Sequence, residues 1–219
     1  MANFDLIIFD FDGTLADTRE GITKGINKTL KAHNFGFSYK PKEIDKFLGY
    51  GDVHLFLLAF KQEKLDESNM DLYKEFKKNY LVSHLETLSS YLGMKDLLLK
   101  LNENTIKIMI YSNKPYEILT KCTDILFKEV KFEGVYGNKE GFIKKPDPSY
   151  LNDYLIKNNY DFNRVLYVGD SYVDVIFANN VHIPSVVMEY GYDEVKNVKK
   201  YHPTYLAKNV KNLDEIIFN

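Results

Sequence analysis

The chain has 219 residues, of which 45% are hydrophobic and 27% are charged, a composition typical of a folded protein and unlike that of a disordered chain. Its 29 basic and 31 acidic residues give a formal net charge of −2, so bulk charge provides no general attraction to nucleic acid or to an anionic membrane, and we expect neither as a partner. The single cysteine, Cys122, excludes an intrachain disulfide and a cysteine-based zinc cluster and favours a reducing, cytoplasmic location, and no targeting segment or apolar run of membrane-spanning length is expected.

Short apolar runs separated by helix-length segments predict an α/β fold. The first run, Leu6-Ile7-Ile8-Phe9, is β-branched at its centre and ends in Asp10-Phe11-Asp12-Gly13, as expected of a buried strand followed by a turn. Further strands are predicted at residues 106–111, 165–168 and 185–188, with a weaker one between Val130 and Tyr136. Continuously apolar strands that alternate with helices predict a Rossmann-like parallel sheet with helices on both faces.

A run of helical patterns interrupts this alternation early in the chain. Apolar residues recur at helical spacing in three successive segments, carried by Ile22, Ile26 and Leu30, by Val53, Phe56, Leu57 and Phe60, and by Leu72, Phe76 and Tyr80. We therefore predict an α/β core formed by residues 1–15 and 87–219, and an all-helical domain formed by residues 16–86 that is inserted after the first strand.

Polar residues follow three of the predicted strands. Asp10 and Asp12 follow the first, Ser112 and Asn113 the second, and Asp170 the third, with Asp174 one helical turn later. Because ligands of parallel sheets bind beyond the carboxyl ends of the strands, these side chains are expected to lie together. Carboxylates gathered at one edge repel one another unless a cation is present, and a set of oxygen ligands indicates Mg²⁺.

A phosphate-binding role is predicted for Ser112 and Lys145. A serine backed by the first amides of a helix, together with one lysine, can bind a phosphate group. Lys145 precedes Asp147 and Pro148, which suit the N-cap and the first position of the next helix. Each of these residues alone is explained as a turn, a cap or a solvated side chain, but their combination favours a phosphate and metal site.

Four segments resemble, in order, the four motifs of the haloacid dehalogenase superfamily of phosphohydrolases. They are Asp10-Phe11-Asp12-Gly13-Thr14-Leu15, Ser112-Asn113-Lys114-Pro115, Lys145-Pro146-Asp147-Pro148, and Gly169-Asp170-Ser171 with Asp174-Val175. The resemblance spans nearly the whole chain, with the inserted helices matching the small helical cap of that family, and it is closest to the phosphoglycolate phosphatase branch. The chain departs from that branch at Leu92, where proline is usual, and at Val181-His182, where Ala-Gly is common.

The resemblance implies a magnesium-dependent phosphatase that hydrolyses a small organic phosphate monoester, such as 2-phosphoglycolate, through an aspartyl phosphate. Asp10 would be the nucleophile, and Asp12 would protonate the leaving oxygen and then activate water. Asp10, Asp170 and the backbone carbonyl of Asp12 would hold Mg²⁺.

The remaining motif residues would bind and orient the phosphoryl group. The resemblance implies that Ser112 and the amides around Asn113 hold one phosphoryl oxygen and that Lys145 neutralises another. Asp174 would orient Lys145 or a metal-bound water. In the cap, the loop Gly49-Tyr50-Gly51-Asp52 is the predicted substrate-specificity segment, because two glycines permit an unusual turn between helices.

Other functions within the same superfamily stay open. A nucleotidase, a pyrophosphatase and a sugar-phosphate phosphatase are alternatives, and the expected partner in each case is a small phosphorylated compound. Asp12 argues against dehalogenases and phosphonatases, whose leaving groups need no acid there. The segment Asp17-Thr18-Arg19-Glu20 lacks the histidine that helical-cap mutases usually place after the Asp-Thr pair, which disfavours a mutase.

Two alternatives come from other classes of protein. A receiver-type phosphoacceptor module also uses an aspartate cluster, magnesium and a lysine, but it has no helical insert and preserves its phosphoryl group. A non-catalytic interaction protein would be expected to have lost at least one of the presumed catalytic residues, and none is lost. The sequence carries no sign of the oligomeric state.

Overall fold

A parallel β-sheet is the centre of the larger of two compact units in this computed structural model, which describes residues 3–219. In chain order the strands are β1 (Leu6–Phe9), β2 (Ala16–Asp17), β3 (Ser89–Ser90), β4 (Lys107–Pro115), β5 (Gly134–Asn138), β6 (Val165–Gly169), β7 (Ser185–Met188) and β8 (Tyr205–Ala207). Six of them form the sheet in the spatial order β5-β4-β1-β6-β7-β8, and β2 pairs with β3. Every neighbouring pair in the six-stranded sheet is parallel.

Nine α-helices are found in residues 3–219. They are α1 (Arg19–Ala32), α2 (Asp52–Ala59), α3 (Met70–Glu86), α4 (Met94–Glu103), α5 (Tyr116–Phe127), α6 (Ser149–Lys157), α7 (Tyr172–Val181), α8 (Val195–Val198) and α9 (Val210–Phe218). Short 3₁₀ helices span Pro41–Phe47, Phe162–Arg164 and Lys199–Tyr201. Within the same residues no helix combines the length and the apolar character that a membrane crossing requires.

Burial explains why β1 is the central strand. It lies between β4 and β6, with Phe9 opposite Ile110 on one side and Val168 on the other. Leu6 and Ile8 pack into a buried cluster with residues of α6 and α7. Ile7 and Phe9 are also fully buried, so both faces of the strand are covered. The predicted Rossmann-like α/β fold with a parallel sheet is confirmed.

The strand and helix ends differ from the prediction at several places. β4 continues to Pro115 through an irregularity after Tyr111, because Pro115 pairs again with Asn138. β8 has no counterpart among the predicted strands, since only Ala207 in it is buried and it therefore lacks a continuous apolar run. The predicted N-cap is wrong by one residue: α6 begins at Ser149, and the Asp147 carboxylate accepts a hydrogen bond from the Ser149 N–H at 2.9 Å.

The smaller unit, Asp17–Ser89, contains α1, α2 and α3. Its interior is aromatic: the rings of Phe56 and Phe60 are 4.9 Å apart, and those of Phe76 and Tyr80 are stacked 5.6 Å apart. The other unit comprises residues 3–16 and 90–219. The helical segments therefore form their own core, separate from that of the sheet.

Candidate active site

Three adjacent strands deliver the polar residues to one edge of the sheet. Asp10 follows β1, Ser112 lies near the end of β4, and Asp170 follows β6. The N–H of Asp10 donates to the carbonyl of Val168 at 2.9 Å, which continues the ladder one step beyond β1. Because all three strands run in the same direction, their carboxyl ends meet at this edge.

Lys145 lies at the centre of the cluster. Its Nζ is 2.6 Å from Oδ1 of Asp174 and 3.0 Å from Oδ1 of Asp10. Burial by itself lowers the pKa of Lys145, but the charges of Asp10 and Asp174 outweigh burial and hold the pKa above its usual value. Lys145 is therefore a permanent cation between two carboxylates.

Two residues that are distant in sequence hold Lys145 in place. The side chain of Asn113 accepts from the Lys145 N–H at 2.9 Å and donates to its carbonyl at 3.0 Å. The Lys145 ammonium also donates to the Tyr167 hydroxyl at 2.9 Å, and that oxygen is 3.0 Å from the carbonyl of Tyr111. The peptide bond between Lys145 and Pro146 is cis. The Asn113 side chain is thus engaged with the lysine backbone, while the predicted phosphate contact through the neighbouring amides stays a prediction.

Asp174 is almost surrounded by hydrogen-bond donors. Its Oδ2 accepts from the N–H of Asp170 at 3.2 Å, and from the N–H and the hydroxyl of Ser171 at 3.0 and 2.7 Å. Burial raises the pKa of Asp174, but the Lys145 charge and these hydrogen bonds together bring the pKa below its usual value. Asp174 is therefore an ionised partner of Lys145, as its predicted orienting role requires, and that role stays a prediction.

Asp170 occupies a tight backbone pocket. Its Oδ1 accepts from the Thr14 hydroxyl at 3.2 Å, and its Oδ2 accepts from the Tyr192 N–H at 2.7 Å. A Cβ atom at Gly13 or at Gly191 would collide with the Asp170 side chain, and Gly13 also has a φ of +77°. Burial, followed by the charges of Asp174 and Asp10, raises the pKa of Asp170 well above its usual value.

The donor set fits a divalent cation. One carboxylate oxygen from each of Asp10, Asp170 and Asp174 lies within 4.8 Å of the others. Burial raises the pKa of Asp10 to about 6 against the opposing charge of Lys145, and its buried Oδ1 accepts no hydrogen bond of good geometry from residues 3–219. Three buried carboxylates and one ammonium leave an excess of negative charge. A bound cation would balance this charge, and Mg²⁺ is a cation that prefers oxygen ligands of this kind. Asp174 already has several donors, so Asp10 and Asp170 are the better metal-facing pair.

Asp12 lies apart from this carboxylate cluster. Its two oxygens are 2.7 and 3.0 Å from Nζ of Lys114, a lysine whose role the sequence did not indicate. The side chain therefore pairs with a second lysine, and its acid and base role and the metal contact of its carbonyl stay predictions. The signal for Lys114 was its position directly after Ser112 and Asn113, at the end of the strand that carries the predicted phosphate-binding residues. Tyr167 carried a different signal, because its hydroxyl is the one polar side-chain group between Val165 and Val168.

Ser112 faces the proposed nucleophile. Its hydroxyl donates a hydrogen bond to Asp10, which lowers the pKa of that carboxyl, and its oxygen accepts from the Lys114 N–H at 3.3 Å. Helix α5 begins four residues later, at Tyr116. The predicted contact of Ser112 with a phosphoryl oxygen stays a prediction.

The predicted specificity loop belongs to the smaller unit. Gly51 has a φ of +89° and precedes α2, which begins at Asp52. The buried Asp52 carboxylate accepts a hydrogen bond from the Tyr73 hydroxyl at 2.5 Å, and the Tyr50 ring lies 5.1 Å from that of His54. Asp52 therefore has a structural partner within the helical unit, and the predicted role of Gly49, Tyr50, Gly51 and Asp52 in specificity stays a prediction.

Comparison with known proteins supports the family expected from these motifs. The family model described as haloacid dehalogenase-like hydrolase matches residues 7–188. A phosphoglycolate phosphatase of Vibrio cholerae is 25% identical over 99% of this chain and 98% of its own length, and the pyrophosphatase PpaX of Oceanobacillus iheyensis is 24% identical over 96% and 95%. The crystal structure of a predicted phosphoglycolate phosphatase from Haemophilus somnus has the same fold, with a TM-score of 0.84, 23% identity and 99% of each chain covered. Since the family match covers most of the chain, this protein belongs to the haloacid dehalogenase-like hydrolase family and is an enzyme.

Proposed function

We propose that this hydrolase is a magnesium-dependent phosphatase that acts on a small phosphate monoester through an aspartyl phosphate on Asp10. The observation that carries the proposal is the placement of the Asp10 carboxylate beside the Lys145 ammonium, 3.0 Å away, and within 4.8 Å of the Asp170 carboxylate oxygen. With the Lys145 ammonium on one side and the proposed Mg²⁺ on the other, a nucleophilic carboxylate can approach a phosphate dianion without net repulsion.

The first half of the proposed reaction transfers the phosphoryl group to Asp10. An oxygen of the Asp10 carboxylate forms a bond to phosphorus, and the bond between phosphorus and the ester oxygen breaks. The departing oxygen takes a proton from the Asp12 carboxyl group, so the alcohol leaves neutral. Lys145 and Ser112 hold phosphoryl oxygens during the transfer.

The second half regenerates the enzyme. A water molecule attacks phosphorus while the Asp12 carboxylate accepts one of its protons, and the bond between phosphorus and Asp10 breaks. Inorganic phosphate leaves, Asp10 is a carboxylate again, and Asp12 is protonated for the next cycle. The net reaction consumes one ester and one water and yields one alcohol and one phosphate.

Magnesium, when bound by Asp10, Asp170 and the Asp12 carbonyl, supplies positive charge that offsets the repulsion between carboxylate and phosphate. The chain's own residues position that charge. The Thr14 hydroxyl and the Tyr192 N–H orient the two oxygens of Asp170, and Asp174 keeps Lys145 directed at the nucleophile.

The names of the relatives support the proposed substrate class. Curated relatives named phosphoglycolate phosphatase match nearly the full chain, so we propose 2-phosphoglycolate or a similarly small phosphorylated metabolite as the partner. Pyrophosphate is the second candidate, because the relative from Oceanobacillus iheyensis is named a pyrophosphatase. The buried free thiol of Cys122 suits the cytoplasmic location that we propose.

A substrate panel tests the function. Release of inorganic phosphate is measured for 2-phosphoglycolate, pyrophosphate, nucleoside monophosphates and sugar phosphates, each with Mg²⁺ and with a chelator, and the panel is ranked by kcat/KM. We expect 2-phosphoglycolate to rank first and the chelator to abolish turnover. A clear preference for a nucleotide contradicts the proposed substrate, and full activity in the chelator contradicts the proposed metal dependence.

A further inference from the structure

Lys114 is a buried cation that pairs with the carboxylate of Asp12. Its Nζ is 2.7 Å from Oδ1 and 3.0 Å from Oδ2 of that residue. The Lys114 side chain is 0% exposed, whereas that of Asp12 is 20% exposed. The ammonium also lies 5.6 Å from the centre of the Phe11 ring. Solvent therefore reaches the carboxylate of this pair but not the lysine.

The pair belongs to a repeated arrangement across two neighbouring strands. Asp10 and Asp12 are two residues apart after β1, and Ser112 and Lys114 are two residues apart in the adjacent parallel strand β4. The Ser112 hydroxyl donates to Asp10, and the Lys114 ammonium donates to Asp12. Ser112 therefore contacts the first aspartate and Lys114 the second.

A purely structural role explains this lysine poorly. Moving an ammonium out of water costs several kcal/mol, and an apolar residue of similar volume often stabilises a fold as well or better. Lys114 could be replaced by a methionine of similar length if filling space were its only task. Its placement against both oxygens of one partly exposed carboxylate points to a role in the chemistry of that carboxylate.

We propose that Lys114 is a positioning residue that holds the Asp12 carboxyl group in the orientation from which it exchanges a proton with the leaving oxygen. Contact with both oxygens fixes the rotation of the group about its Cβ–Cγ bond and leaves its exposed side for the substrate. The proposal rests on the proposed phosphatase function and extends it to a residue to which that function assigned no role.

The role predicts a dependence on the leaving group. An alkyl ester leaves as a strongly basic oxygen that needs a well-placed acid, whereas an aryl ester leaves with little help. Misplacing the acid by a fraction of an ångström therefore slows the alkyl ester selectively. A lysine that only stabilised the fold would affect both esters equally.

The experiment compares Lys114→Met with the wild type in single-turnover reactions with an alkyl and an aryl phosphate. We expect the phosphorylation rate to fall by about tenfold to a hundredfold for the alkyl ester and to change little for the aryl ester. Lys121→Met is the matched control, since Lys121 is an exposed lysine of α5 paired with Glu117, and it should alter neither rate. An equal loss for both esters overturns the proposal.

A double-mutant comparison keeps the test valid if Lys114→Met folds poorly. Asp12→Asn with Lys114→Met removes both charges of the pair, and its alkyl rate is compared with that of Asp12→Asn alone. If Lys114 acts through Asp12, the second substitution adds no further loss. An additional loss of similar size in both backgrounds overturns the positioning role. If the wild type hydrolyses neither ester, the proposed function has failed, and that result is distinct from every outcome for Lys114.

Discussion

Lys145 and Asp174 form an ion pair that is almost fully withdrawn from water: Nζ lies 2.6 Å from Oδ1, and each side chain is 2% exposed. The pair is not isolated, because Tyr167 contacts both charges and Ser171 donates to the other oxygen of Asp174. Such a network is stable only while every member is present, since removing one partner leaves the other charged and desolvated. Activity and stability are therefore linked at this site.

Removal of Lys145 tests this link. Lys145→Ala should lower kcat/KM for every substrate by a similar factor, because the ammonium acts on the phosphoryl group that all substrates share. It should also lower the free energy of unfolding by about 3 to 5 kcal/mol, because Asp174 loses its counter-charge. Denaturant unfolding and the substrate panel are the measurements, with the neighbouring Lys144→Ala as the control. Selective loss for some substrates contradicts a role on the phosphoryl group.

The nucleophile is tested by Asp10→Asn, which keeps the shape of the side chain and removes its negative charge. We expect no phosphorylation in a single turnover with any ester. Asp5→Asn is the matched control, because Asp5 precedes the same strand and pairs with Arg164 on the surface. Retention of most of the wild-type rate by Asp10→Asn rules out a covalent intermediate on this residue.

Magnesium should stabilise the fold through Asp170. In a chelator, Asp170→Asn should unfold at the same temperature as the wild type or higher, because the raised pKa of Asp170 means that burial disfavours its charged form. Saturating Mg²⁺, at about 100 times its Kd, should stabilise the wild type by about 2.7 kcal/mol and the variant far less. Thermal melts with and without Mg²⁺ measure both effects, and equal stabilisation of the two proteins contradicts the assigned ligand.

Tyr167→Phe removes one hydroxyl from the Lys145 network. The variant should lose about 1 to 3 kcal/mol of stability, since a buried ammonium proton loses its acceptor, and it should slow all esters together. Tyr154→Phe removes a hydroxyl that contacts Glu133 near the surface and serves as the control. Unchanged rates in Tyr167→Phe show that Asn113 and Asp174 suffice to place the lysine.

The cap loop is tested by Tyr50→Ala. If the loop selects the leaving group, this change should alter the ranking among substrates by about 1 to 3 kcal/mol in kcat/KM and alter a small generic ester much less. Asp52→Ala is the less informative variant, because it also breaks the buried bond to Tyr73. A uniform loss over the whole panel from Tyr50→Ala contradicts a role in specificity.

The sequence by itself determined the fold class and the residues at the strand ends. Leu6–Phe9 and Val165–Val168 are apolar throughout because both faces of a central parallel strand are buried, and that pattern is local. The acidic residues that follow such strands must meet at one edge, so their clustering also follows from the order of the strands. A short edge strand such as β8 leaves no comparable pattern, because only Ala207 in it is buried.

Only the tertiary structure decided which side chains are partners within the cluster. Lys114 reaches Asp12 across 102 positions of the chain, and Lys145 reaches Tyr167 across 22. The two lysines are alike in sequence, and each could have paired with either aspartate. The Lys114 ammonium lies 2.7 Å from Asp12, beyond the residues that pair β4 with β1, and the hydrogen bonds of Asn113 to the Lys145 backbone help direct the other lysine toward Asp10 and Asp174. Such pairings depend on distances between strands and loops, and a linear pattern of residue types does not carry them.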